Sequence, residues 1–303
     1  MSFFPIKNNP LFADTLVVHQ KNFHYLFALR CTLGVFIPLV FVLIYGYEEY
    51  AGSVAYGALV AGMASKRGIY TSKIATMLGI SFTVALATII GALTGGQLYW
   101  EIAIFSLFGV LTGLMSALGK VPDYIGMHVL VALAIFSFHP MTFEGALISG
   151  GFALAASFFQ LLLCLFSLLF LSASEVNAIP ANENADLLSY IDDYSTDGQS
   201  ISGVLKEKLH LIVHGILLRP LMRAPMYMWS AVASSLPVLK ENLSWDSSYA
   251  QHGLRLACAM VVAIIASNYL HFPYYYWIVL TVAYILKPSV NITYSRAIAR
   301  TLG

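Results

Sequence analysis

The sequence predicts an all-α fold: a polytopic transmembrane helix bundle with a parallel internal repeat. Three observations predict it. Of 303 residues, 59% are hydrophobic and 10% charged, with a mean hydropathy of +0.76; a soluble domain carries about 25% charged residues. Apolar runs recur at the length that crosses ~30 Å of hydrocarbon, which takes about 20 helical residues. Two stretches of about fifty residues repeat one order of cation, apolar run and aromatic turn.

Taken in order, residues 1–24 form a mixed, aromatic N-terminal segment. It has no apolar core followed by small residues, so it does not read as a cleaved signal peptide. Spans follow at 26–46, 51–65, 74–94, 98–118, 124–139 and 146–172, a first six-helix bundle over 25–173. The second and fifth are short, which predicts little tilt or a locally thinned bilayer. Residues 174–250 are a polar cytoplasmic segment. Its first part is acidic and turn-rich. Within "GVLKEKLHLIVHGILLRPLMRAPMYMW" apolar residues fall at helical spacing between Lys206, Lys208, Arg219 and Arg223. That pattern predicts a helix lying on the inner leaflet or against a partner helix. Two more spans, 254–271 and 274–287, and a ninth from Tyr294 open a second bundle over 251–303.

Charge sets the orientation. With the N-terminus in the cytoplasm, all 16 Lys and Arg residues fall on the cytoplasmic side, as the bias of Lys and Arg toward inner loops requires. The outer loops hold Glu48, Glu49, Glu101 and Glu144 and no cation. The outer turns "YGYEEY" and "HFPYYYW" are aromatic, as rings that are apolar at one end and polar at the other settle at the interface.

The repeat aligns Leu29–Gly79 with Leu254–Gly303. Each copy opens on Leu-Arg, crosses, turns at an aromatic outer loop, and returns to a basic inner loop. Each enters its next span through Ile-Ala and Leu-Gly: Ile74, Ala75, Leu78 and Gly79 against Ile298, Ala299, Leu302 and Gly303. Both copies start inside, so the repeat is parallel, an arrangement common in transporters. The symmetry predicts that these residues are the amino-terminal part of a longer protein of about twelve spans.

The stretch "LRLACAMVVAII…FPYYYWIVLTVAYILKPSVNITYSRAIARTLG" resembles the signature of the fusaric-acid-resistance family, bacterial inner-membrane proteins related to aromatic carboxylic acid exporters. The matching positions are Arg255, Tyr276-Trp277, Lys287-Pro288 and Arg300 to Gly303. The chain departs from the pattern where a Thr is expected after Gly303, and its first repeat has Ile80 there. The resemblance implies a multi-pass protein of the bacterial inner membrane that exports organic, aromatic-carboxylate-like anions at the expense of a proton gradient. A non-transporting membrane scaffold, whose cytoplasmic segment binds partners or lipids, and an anion channel are the alternatives. The bilayer and a small organic anion are the expected partners, and assembly with further copies stays open.

Several residues are candidates for that work. Arg30 and Arg255 hold equivalent places at the inner ends of the first and seventh spans, either as headgroup anchors or as an anion site. Lys66, Arg67 and Lys73, with Lys287, Arg296 and Arg300, make two basic inner collars that set topology or gather carboxylates, which Arg holds in bidentate fashion. Tyr276 and Trp277 line the outer turn, as interface anchors or as part of an anion path. His128 is a candidate proton carrier because imidazole titrates near neutrality. Asp123 is its possible partner or the cap of that span. Glu101 reads as a helix-start charge and, secondarily, as a proton site. Asn268 is placed to bond across helices. Glycines such as those of "GVLTG" read as helix-packing positions, and Pro38 as a kink in the first span.

Other chemistry finds no support. Cys31, Cys164 and Cys258 fall inside apolar runs without CxxC spacing, so neither a disulfide nor a metal site is expected. His210 and His214 lack the Glu of a metalloprotease motif. No Ser-His-Asp set or nucleotide loop appears, so no enzyme and no cofactor are expected. The dispersed cations exclude a nucleic-acid face.

Overall fold

A computed structural model describes residues 25–64, 70–168, 235–270, 276–286 and 293. Among these it contains α-helices and short 3₁₀ turns and no strand. The helices are α1 (Tyr25–Ile44), α2 (Ala51–Ala64), α3 (Tyr70–Thr94), α4 (Leu98–Met115), α5 (Lys120–Ser137), α6 (Phe143–Leu168), α7 (Ser248–Leu270) and α8 (Tyr276–Ile285). Six of them, α1 and α3 to α7, are long and apolar enough to cross a membrane. The chain is a multi-pass, all-α membrane protein. α1 displays Leu29, Phe36, Phe41 and Ile44 on its outside, a face suited to lipid rather than water.

The spans lie where the hydrophobic runs place them, with differences at the ends. α3 starts at Tyr70 rather than 74 and α7 at Ser248 rather than 254, because helical hydrogen bonding continues past the apolar run into polar residues. α7 has its own start signal: Ser247 Oγ accepts from the Tyr249 N–H at 3.3 Å, the geometry of a serine N-cap. α5 begins at Lys120 and is 18 residues long, so the fifth span is not short. Its cap is Gly119, whose φ of 113° suits a residue without Cβ; Asp123 lies in the first turn instead. α1 continues through Pro38. The inner-leaflet helix, the ninth span and both histidines of 210–214 lie outside the described residues.

Compactness divides the chain into two units. Among the described residues, the first takes 83–151 and those from 235 onward, hence α4, α5, α7, α8 and parts of α3 and α6. Its helices meet at glycines. A Cβ on Gly109 would press on Ala257, and one on Gly113 would strike the backbone of Gly253, so α4 and α7 touch main chain to main chain. Gly91 packs on Leu133, Gly126 on Thr112, and Gly150 on Ile89 in the same way. The helix that opens the second copy of the repeat is thus a wall of the unit that holds α4.

Among the described residues, the second unit takes 26–64, 70–82 and 152–168, hence α1, α2 and the remaining parts of α3 and α6. Its core joins Val42, Val54, Ala58 and Ala156, with Val35 and Phe152 against them. Phe152 stacks on Tyr50 at 5.2 Å between ring centroids. Gly57 lies against the Ala153 backbone. The pairings Arg30–Cys164 and Gly34–Gln160 run in opposite senses along α1 and α6, so these two helices are antiparallel.

Candidate functional site

The second unit holds a cation inside its helix packing. Arg30 is half-buried on α1, and its Nη1 donates to Cys164 Sγ of α6 at 3.1 Å. Its guanidinium carbon lies 5.2 Å from the Phe27 ring centroid, one turn back on α1, within cation–π range. The side chain therefore reaches across to α6, where a headgroup anchor would reach outward.

One turn along the same pair of helices sits Gln160, which sequence reasoning passed over. It is 0% exposed, and neither Nε2 nor Oε1 has a hydrogen-bond partner. Its amide occupies the space that a side chain on Gly34 would fill. Nε2 lies 2.7 Å, and Cys31 Sγ 3.3 Å, from where a Cβ on Gly62 would stand. The one available signal was a lone Gln inside "FFQLLLCLF".

The first unit holds the buried titratable groups. Glu101 is 4% exposed in the first turn of α4. Its Oε1 accepts from the Gly96 N–H at 3.0 Å, and the Asn268 side chain also bonds it. Asn268 Nδ2 donates as well to the Ile264 carbonyl at 3.0 Å. A carboxylate from α4 is thereby tied to α7, the cross-helix bond read for Asn268.

His128 on α5 is 3% exposed. It lies edge-on to Tyr124, 4.4 Å between centroids, and to Tyr284 of α8 at 6.4 Å. Asp123 Oδ1 accepts from Ser116 Oγ at 2.6 Å, which pins the start of α5 to the end of α4. His252 of α7, absent from the sequence-based candidates, is also buried. His128 and Asp123 thus share one unit with Glu101.

Arg255 is exposed, and its Nε donates to the Gln251 carbonyl of its own helix at 3.3 Å. It belongs to the first unit and Arg30 to the second. Trp277 is exposed on α8. Of Lys73 and Tyr276 only the helical backbone is described. Lys66, Arg67, Lys287, Arg296 and Arg300 lie outside the described residues, and with them most of both collars.

No protein-family profile matches the chain, and no solved structure matches it. A stretch of 65 residues is 35% identical to the uncharacterized protein slr1298 of Synechocystis sp.. The match covers 22% of this chain and 9% of that protein.

Proposed function

We propose that this chain is part of a proton-coupled transporter that carries small organic anions, aromatic carboxylates foremost, out of the bacterial cytoplasm. The observation that carries the reading is Arg30, a guanidinium turned into the α1–α6 packing of a membrane protein. A charge kept inside a membrane bundle is costly, and it is characteristic of solute and ion pathways. A planar guanidinium is also the side chain best matched to a carboxylate. The resemblance of Leu254–Gly303 to the fusaric-acid-resistance signature supplies the class of anion.

In this reading the N-terminus is cytoplasmic and the cations of the inner loops draw anions to the membrane face. The carboxylate takes the donors that Cys164 now occupies. Protons travel through the other unit, where Glu101 lies toward the outer end and His128 toward the inner end of the same helix group. Rocking of helix groups about the midplane alternates access.

The test uses the complete protein in proteoliposomes with benzoate inside and an imposed pH gradient. Benzoate efflux that requires the gradient and is lost in Arg30→Ala supports the proposal. Efflux indifferent to the gradient points to a channel. No efflux at all rejects transport of this anion class and favours a scaffold.

A further inference from the structure

We propose that Gln160 marks a binding site for a polar guest that enters between α1 and α6. Three observations within the second unit converge there. The amide is fully buried, and both of its polar atoms lack partners. A buried amide in that state pays its full desolvation cost, and such a group in a native structure calls for a missing partner.

The second observation is Pro38. Proline has no N–H, so position 38 donates nothing to the carbonyl of Gly34, four residues earlier on α1. That carbonyl belongs to the residue whose side-chain space the Gln160 amide fills. In membrane helices, backbone groups freed by proline are re-satisfied by neighbours or by water, and irregular backbone is tolerated where it lines a cavity.

The third is the wall around the amide. Gly34 and Gly62 approach it, with Cys31 beside Gly62, and none of these three offers a strong hydrogen-bonding side chain. Ser157, one turn away on α6, gives its hydroxyl to the Ala153 carbonyl at 2.8 Å. The seam thus has an amide donor and an amide acceptor that no side chain serves.

The guest that fits both donates and accepts hydrogen bonds. Two sources share this chemistry: water, and the polar end of the transported solute. Arg30 and Cys164 stand one turn along the same helices, ~6 Å away at 1.5 Å per residue. An anion held on Arg30 by its carboxylate and carrying a hydroxyl at its far end, such as 4-hydroxybenzoate, would therefore bring that hydroxyl to Gln160. Naming the anion as guest rests on the transport reading; the site itself does not.

Native cysteines report on the seam. Cys164 is buried and bonded to Arg30, and a maleimide modifies a thiol only when it can be reached. The full chain in native membranes is treated with N-ethylmaleimide, and modified residues are located by peptide mass spectrometry. Cys164 is expected to react slowly but measurably. In Gln160→Leu, which keeps the volume and removes the polar atoms, the rate should fall about tenfold, since the closed seam no longer buries an unpaired amide. If that variant does not fold, Gln160→Met serves.

Protection of Cys164 by added 4-hydroxybenzoate beyond that given by benzoate, whose far edge is apolar, identifies the anion as the guest. Equal modification in the presence of either anion identifies water. The site is overturned if Cys164 stays unmodified while unfolded chain reacts fully, or if the apolar variant reacts at the wild-type rate. None of these measurements needs transport, so absence of flux in vesicles would sink the anion reading and leave the seam to be judged separately.

Discussion

The two units differ in how they treat polar groups inside apolar packing. In the unit of α4, α5, α7 and α8, Glu101 is partnered by Gly96 and Asn268, Ser116 by Asp123, and Thr112 by the Gly126 carbonyl at 3.2 Å, while the buried Thr88 hydroxyl has no partner. In the unit of α1 and α2, Gln160 has none. The repeat sharpens the contrast. Arg30 and Arg255 occupy equivalent positions, yet Arg30 reaches α6 while Arg255 bonds its own helix and is exposed. An equivalent place in a repeat does not make an equivalent site; the neighbouring helix decides.

The largest expected effect follows from that pair. Arg30→Ala should lower benzoate transport by roughly ten- to a hundredfold, the worth of one charge-assisted hydrogen bond. Arg255→Ala should stay within about twofold, because an exposed side chain bonded to its own helix loses little. Equal losses in vesicle flux would erase the distinction between the copies.

Next comes the glycine seam of the first unit. Gly113→Ala places a methyl against the Gly253 backbone, and overpacking of this kind costs about 1–3 kcal/mol. Gly52→Ala meets nothing within 4 Å and should be neutral or slightly stabilising, by a few tenths of a kcal/mol. Thermal unfolding in detergent separates the two; a tolerated Gly113→Ala would mean the seam is loose.

Gln160→Leu removes the amide together with its guest, so unfolding stability should stay within about 1 kcal/mol of wild type. A gain of about 1–3 kcal/mol would show that no guest pairs with the amide. The smallest effect belongs to Asn268→Ala. Cross-helix hydrogen bonds in membranes average about 0.6 kcal/mol, so its loss should be just measurable, and Glu101→Gln should reduce it further.

Much of this architecture was legible in the residues. Apolar runs reveal spans because the bilayer demands a fixed helical length, and α2 and α4 fall within one to three residues of the expected ends. The misreadings share a cause. Tyr70 to Lys73 and Ser248 to Gly253 are polar enough to end a hydrophobic window, while backbone hydrogen bonding carries the helix through them. Packing partners were out of reach. "GVLTG" announces a close approach but not that Gly253 and Ala257 meet it. Gln160 reads as one polar letter in an apolar run, and only the arrival of Gly34 and Gly62 gives it significance.

The contact of Gly113 with Gly253 has a consequence for synthesis. Ribosomes deliver α4 long before α7, and intervening helices enter the bilayer in the meantime. Until α7 arrives, α4 must hold its glycine face against lipid or a chaperone. Chains stalled between these helices should therefore be targets for membrane quality control, and assembly should finish from the carboxyl side backwards.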